Sequence, residues 1–252
     1  MKAISAILGL IALLFIGVAC AASAVATSVN GSAQVQVGTG APQVLRQGDF
    51  LDQGATVITG PGSSVVLKFD DGQIAALSGN SRMAITAYQY DPATGNGNIF
   101  LSLVSGGMRA ITGLIGRRSP NNVAYRAATA TIGIRGTDTT ILVTPGGDIA
   151  VIVDSGAVTF TQDGVTVTVS AGQALLALKG FKAVVDSIAN ILSKFPPEFA
   201  AEVAQFRALG SQIQAAINLI ERDNPGLGGT GSVGGAGTPA GGAGGGGNNA
   251  SQ

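Results

Sequence analysis

The sequence predicts a mainly β protein: a Gly-turned antiparallel sheet of folded or solenoid-like form, then an α-helical hairpin and a disordered Gly-rich tail. Three observations predict it. Apolar residues alternate with period two from Thr27 to about Leu178, and Asp-Gly and Pro-Gly steps interrupt the alternation. Past Leu178 the period changes to 3.6. Glycine supplies 39 of the 252 residues, about twice the usual share.

Residues 1–26 read as an export signal. Met1-Lys2 gives a positive start, Ala3 to Val18 is uncharged and rich in Ile, Leu and Phe, and Ala24 and Ala26 form an Ala-x-Ala processing site. Thr27 is the expected mature start, which leaves no transmembrane anchor after signal cleavage. A membrane anchor would need about 20 apolar residues with charged flanks, and no basic residue follows until Arg46. Cys20 follows Gly17-Val18-Ala19. It either leaves with the signal or carries a lipid, although lipoprotein signals usually place Leu where Gly17 stands.

Residues 27–178 carry the β domain. Val65, Leu67 and Phe69 alternate with Val66 and Lys68, Asp70-Asp71-Gly72 turns the chain, and Ile74 to Leu77 returns. Val158 and Phe160 lead through Asp163-Gly164 to Val165, Val167 and Val169. Ile141 and Val143 lead through Pro145-Gly146-Gly147-Asp148 into 149–153. Turn dipeptides between β-branched runs are the strongest short-range hairpin signal. Gly48, Gly54, Gly72, Gly156 and Gly172 are expected at turns and bulges, because a glycine inside a strand costs roughly 0.5–1 kcal/mol relative to Ala.

Residues 179–224 read as the helical hairpin. Phe181, Val184, Val185, Ile188, Ile191, Leu192 and Phe195 make one apolar face, which Pro196-Pro197 stops. A second runs through Phe199, Val203, Phe206, Ile213, Ile217 and Ile220, with Gly210 as its weak point. The expected use of these faces is packing on each other or on the sheet; a partner groove or a membrane surface is the alternative. Residues 225–252 hold 13 Gly, with Leu227 and Val233 as the only large aliphatics. Ordering a residue costs on the order of 1 kcal/mol or more, and burying two aliphatics returns at most about 3 kcal/mol each. Entropy therefore keeps this tail disordered.

Composition narrows the function. Without His there is no Ser-His-Asp or Cys-His pair and no imidazole metal site. With one Cys there is no internal disulfide and no zinc or iron–sulfur cluster. Fourteen basic and fourteen acidic side chains balance, so net charge recruits no nucleic acid. The loop Asp91–Asn98 offers oxygens, but calcium takes about six to eight and usually a bidentate acid, and no Glu is near. Asp70-Asp71 and the Asp49/Asp52 pair are close in sequence, and each sits in turn sequence. The expectation is no enzyme, no cofactor and no metal.

Several stretches resemble a known family. Gln47-Gly48-Asp49-x-Leu51-x-x-Gly54-x-x-Val57-x-Thr59, Ser64 to Gly72 and Ser78-Gly79-Asn80-Ser81 resemble repeats of FecR-type periplasmic domains. Ala128 to Thr137, ending Gly133-Ile134-Arg135-Gly136-Thr137, is similar to the family's Gly-x-Arg-Gly-Thr signature. Gly156-x-Val158 and Ala171-Gly172-Gln173 close the domain in order, so the resemblance spans about 29–178. It implies a taco-like β domain of bacterial envelopes. In the family's iron-citrate regulator, such a domain receives a signal from an outer-membrane receptor and passes it to a cytoplasmic sigma factor. This chain departs from that arrangement: only the export signal is expected before Thr27, helices and a Gly-rich tail follow the domain, and Arg126-Ala127-Ala128 stands where the family has Arg-Thr-Pro.

From Pro92 to Thr137 there is no Asp or Glu, and five of the nine Arg fall inside: Arg109, Arg117, Arg118, Arg126 and Arg135. Their planar forks of donors suit an anionic partner. The alternative is structural, with Arg135 bonding backbone carbonyls or Asp138 beside a bulge at Gly133 and Gly136. Gly48, Asp49, Gly133, Arg135, Gly136 and Thr137 are expected mainly to hold the fold. The whole points to an exported, non-enzymatic binding or scaffold protein, periplasmic, secreted or at the cell surface. Its partner would be an envelope protein or an anionic polysaccharide. The other reading is a structural or adhesive surface component that uses the tail as linker or assembly arm.

Overall fold

The computed structural model describes residues 23–195 and 197–223; the expected export signal through residue 22 and the Gly-rich tail lie outside the described residues. Among the described residues, fifteen strands form one continuous folded sheet of mainly antiparallel pairs. They are β1 (Ala24–Asn30), β2 (Ala33–Val37), β3 (Gln43–Val44), β4 (Phe50–Leu51), β5 (Ala55–Thr59), β6 (Ser64–Phe69), β7 (Ile74–Leu77) and β8 (Arg82–Asp91). After these come the long β9 (Asn96–Ile111), β10 (Val123–Ala127), the long β11 (Ala130–Val143) and β12 (Ile149–Gln162), then β13 (Val165–Ser170), β14 (Gln173–Ala177) and β15 (Val184–Ser187).

Pairing separates the sheet into two layers. In the first, neighbours run β4, β1, β6, β7, the end of β9, the end of β11, the start of β12, β14 and β15. In the second they run β3, β2, β5, β8, the start of β9, β10, the start of β11, the end of β12 and β13. Strands β9, β11 and β12 thus belong to both layers. β10 lies parallel to β9, because the excursion through residues 112–122 carries the chain back across.

Each passage between layers needs a sharp bend, and glycine supplies nearly all of them. The N-terminal half crosses on one side, where Gly31, Gly62, Asn80 and Gly106 take positive φ. The C-terminal half crosses on the opposite side, at Gly136, Gly156 and Gly172. The opposition follows from register: Gly106 pairs with Val143, whereas Ile111 pairs with Asp138. The expected bulge at Gly136 is present, with the β11–β12 register shifting between Arg135 and Asp138.

Period-two patterning points one face of each layer inward. Phe69, Leu67, Leu77, Ile141 and Val151 of the first layer meet Ile85, Leu101, Tyr125, Ile132 and Phe160 of the second in one core. Phe69 stacks on Tyr88 with ring centroids 5.4 Å apart. The strands β6, β7, β11, β12 and β14 are apolar on their other face too, with Val66, Ile74, Ala76, Leu142, Ile152 and Leu176 all buried. Helices cover that face.

These helices fall differently from expectation. Val184–Ser187 forms β15 and not the first turns of a helix, because β-branched Val184 and Val185 complete the open edge of β14 opposite Leu176 and Leu175. A short helix then runs over Ile188–Leu192, started by the Ser187 hydroxyl, which accepts from Asn190 N. Two longer helices, Pro197–Ala208 and Gly210–Asp223, divide at Leu209, beside the weak point Gly210. Ile191, Phe199, Phe206 and Ile213 pack on the first layer. Two Gln side chains clamp the helices to the crossing side: Gln205 Nε2 donates to Ser63 O (2.8 Å), its Oε1 accepts from Gly79 N (3.1 Å), and Gln212 Oε1 accepts from Asn30 Nδ2 (2.8 Å). No helix among the described residues is long and apolar enough to cross a membrane.

A Cβ at Gly156 would collide with the Gly136 carbonyl, at a residue whose φ is +74°. Gly164 shares the positive φ but meets nothing within 4 Å. Gly164→Ala should therefore cost about 1–2 kcal/mol, and Gly156→Ala clearly more, about 3 kcal/mol or above. Urea unfolding of the two variants measures the difference.

Candidate functional site

The acid-free segment begins its excursion with helix α1 (Leu114–Arg118), followed by a 3-10 turn over Pro120–Asn122. A buried polar knot holds the start of α1. Asp71, in the β6–β7 turn, accepts from Leu114 N through its carbonyl (2.8 Å) and from Ile115 N through Oδ2 (3.3 Å). Its Oδ1 accepts from Gln73 N (3.1 Å), and its own N donates to the Tyr88 hydroxyl (3.0 Å). Tyr125 donates to Gln73 Oε1 (2.9 Å). Burial pushes the Asp71 carboxyl up to about 6, against the lowering effect of these N–H groups. It also pushes up the hydroxyls of Tyr88 and Tyr125.

The knot sets where Arg117 emerges. Arg135 emerges from β11 on the outer face of the second layer, since Ile132 and Ile134 before it are buried in the core and Arg135 is exposed. The two arginines meet at a cleft of about 430 Å³ lined by Gly116, Arg117, Pro120, Asn121, Arg135 and Gly136. No carboxylate lines it. Both side chains are exposed, and neither guanidinium has a hydrogen bond or ion pair among the described residues.

The other candidates separate. Arg109 lies on the first layer, in a bidentate pair with Asp138 (Nε to Oδ1 2.9 Å, Nη2 to Oδ2 2.7 Å), with the two side chains only 16% and 13% exposed. Asp138 thus serves Arg109 and not Arg135. Asp154 nearby is pushed up by burial and by the Asp138 charge. Arg118 donates to the Thr94 carbonyl of the β8–β9 loop, beside a second cleft of about 510 Å³ lined by Gln89, Tyr90, Asp91, Asn96, Gly97, Asn98 and Asn122. Arg126 stands exposed on the second layer between Ser102 and Thr131.

The signature residues Thr137, Gly133, Asp49 and Gly48 make close local contacts. Thr137 N donates to the Thr112 hydroxyl (2.8 Å), which donates back to Thr137 O (2.9 Å). Gly133 leaves room for Thr159 across the ladder. Asp49 accepts from Arg46 N (2.7 Å), and Gly48 N donates to Ala26 O (2.8 Å), so the Gly-Asp turn docks on β1. Sequence reading missed Asn121 and Gly116 as cleft walls and Asp71 as the residue that holds α1. The Pro120-Asn121-Asn122 turn residues were the available signal for the first.

The fold and site define a two-layer, Gly-cornered β module with a basic cleft at one corner. Residues 55–159 match the family described as FecR protein. Two crystal structures of a candidate anti-sigma factor from Parabacteroides distasonis are similar, at 12% identity and TM-scores of 0.44 and 0.45. The match covers 52% of this chain and 59% of those, so the chain spans about three fifths of their length. No curated protein matches.

Asp71 gives the pH prediction. An acid whose folded pKa exceeds its ordinary 3.8 favours the fold fully below pH 3.8. That contribution is lost as pH rises to about 6, because only the unfolded chain ionises freely in that window. The loss is roughly 3 kcal/mol by the usual conversion. Urea midpoints should therefore fall between pH 4 and 6.5, and Asp71→Asn should flatten that fall. An unchanged slope in the variant would assign it to Asp154 and the other raised carboxyls.

Proposed function

We propose that the chain is an exported, non-enzymatic FecR-like binding module of the bacterial envelope, which holds an anionic group of its partner between Arg117 and Arg135. One observation carries this reading: two unpaired guanidinium groups converge on one carboxylate-free cleft. A guanidinium presents five donors in a planar fork that matches a carboxylate, sulfate or phosphate, so two of them at one cleft favour such a group strongly. The Asn121 amide and the glycine backbone at 116 and 136 add polar surface without a side chain to block approach.

The chemistry of this cleft is that of binding. It offers positive charge and donors but no side chain able to take up a proton near neutral pH, which general acid–base catalysis requires. Arg126 extends the positive charge along the second layer, whereas the longer helices among the described residues pack on the first. A carboxylated or sulfated polysaccharide and an acidic protein loop both present the group the cleft would hold.

The test uses the folded protein and immobilised dextran sulfate at two salt concentrations. Arg117→Glu with Arg135→Glu should weaken binding at least tenfold per residue, about 1.4 kcal/mol each, and flatten the salt dependence. Arg46→Glu with Arg207→Glu makes the same change of net charge elsewhere. Equal loss in both pairs would mean nonspecific attraction and would remove the cleft from the proposal.

A further inference from the structure

We infer that the export signal is cut before Ser23, and that Ser23 to Ala26 remain in the mature protein as part of the folded domain. The inference rests on the export reading and places its processing bond. The Ala24-x-Ala26 pattern is the more conspicuous cleavage site in the sequence, but the structure uses those residues.

Ser23 N donates to Leu51 O (2.9 Å), and Ala26 N donates to Asp49 O (2.9 Å). Ala26 O in turn accepts from Gly48 N. Ala24 pairs with Leu51 on one side and Phe69 on the other, and Val25 pairs with Phe50 and Lys68. Ala24 and Ala26 are 1% and 0% exposed. Among the described residues, strand β4 has no other strand partner: its ladder consists of Ala24 and Val25.

A cut after Ala26 would therefore remove more than a loose end. It would strip β4 of its only neighbour, leave the Gly48-Asp49 turn without its docking strand, and open the core beside Leu51 and Phe69. Freed backbone donors and acceptors at a buried edge each cost on the order of 1 kcal/mol or more, and exposed apolar area adds to that. Small residues suitable for signal peptidase also stand upstream, as Ala19-Cys20-Ala21 and Cys20-Ala21-Ala22. Cuts there deliver Ala22 or Ser23 as the first residue and keep β1 whole.

The experiment is expression of the full precursor in a secreting bacterium, followed by intact mass and N-terminal sequencing of the exported product. A start at Ser23 or earlier within the small-residue run supports the inference. A start at Val25 or Thr27 overturns it while leaving export intact. A chain that keeps Met1 and Lys2 overturns the export reading and this boundary together. As a second arm, Ala21→Tyr with Ala22→Tyr changes no residue of β1 and blocks the upstream sites. The precursor should then accumulate several-fold in a pulse-chase. Maturation at the normal rate would show that the downstream site is the one used.

Discussion

The structure depends on where the backbone can bend. Two apolar layers must lie face to face, and in this chain the strands themselves run from one layer into the other. An L-residue with a side chain resists the positive φ such bends require, and Gly156 lies so close to the Gly136 backbone that a single carbon added at Gly156 would not fit. The remaining polar groups at the bends are answered locally. Ser63, Ser78 and Ser81 bond backbone groups on the N-terminal crossing side, and Thr112 and Thr137 do so on the other.

The basic cleft follows from that geometry. The bulge after Arg135 lets β11 turn the corner and leaves Arg135 on the outer face, while Asp138 points from the first layer, where Arg109 takes both its oxygens. With Asp138 occupied, Arg135 has no ion pair among the described residues. Arg117 reaches the same place because Asp71, deep in the β6–β7 turn, fixes the first residues of α1. A buried carboxyl some forty residues away in sequence thereby positions one wall of a surface cleft.

Much of the fold was legible in local chemistry. The turns at Asp70 to Gly72, Pro145 to Asp148 and Asp163-Gly164 fall where the sequence pattern puts them, because turn type is set by a few adjacent residues. The segment 181–195 misled, since Val184 and Val185 fit either period and only the free edge of β14 decides between them. Gly106 gave no signal, being buried within sixteen residues of continuous strand. At the site, the lack of acid between Pro92 and Thr137 marked five arginines as a group. It could not separate Arg109, whose partner is a ladder neighbour on another strand, from Arg117 and Arg135, which meet only through tertiary folding.

The crossings on opposite sides set a limit on what this module can do mechanically. A sheet creased along one line could swing open like a book and admit a ligand between its leaves. Here the N-terminal half is creased on one side and the C-terminal half on the other, and β9, β11 and β12 pass through both layers. The leaves are stitched along both margins. Parting them would break the hydrogen-bonded ladders of these shared strands on each side at once, so a ligand would meet the outer surface and not the interior.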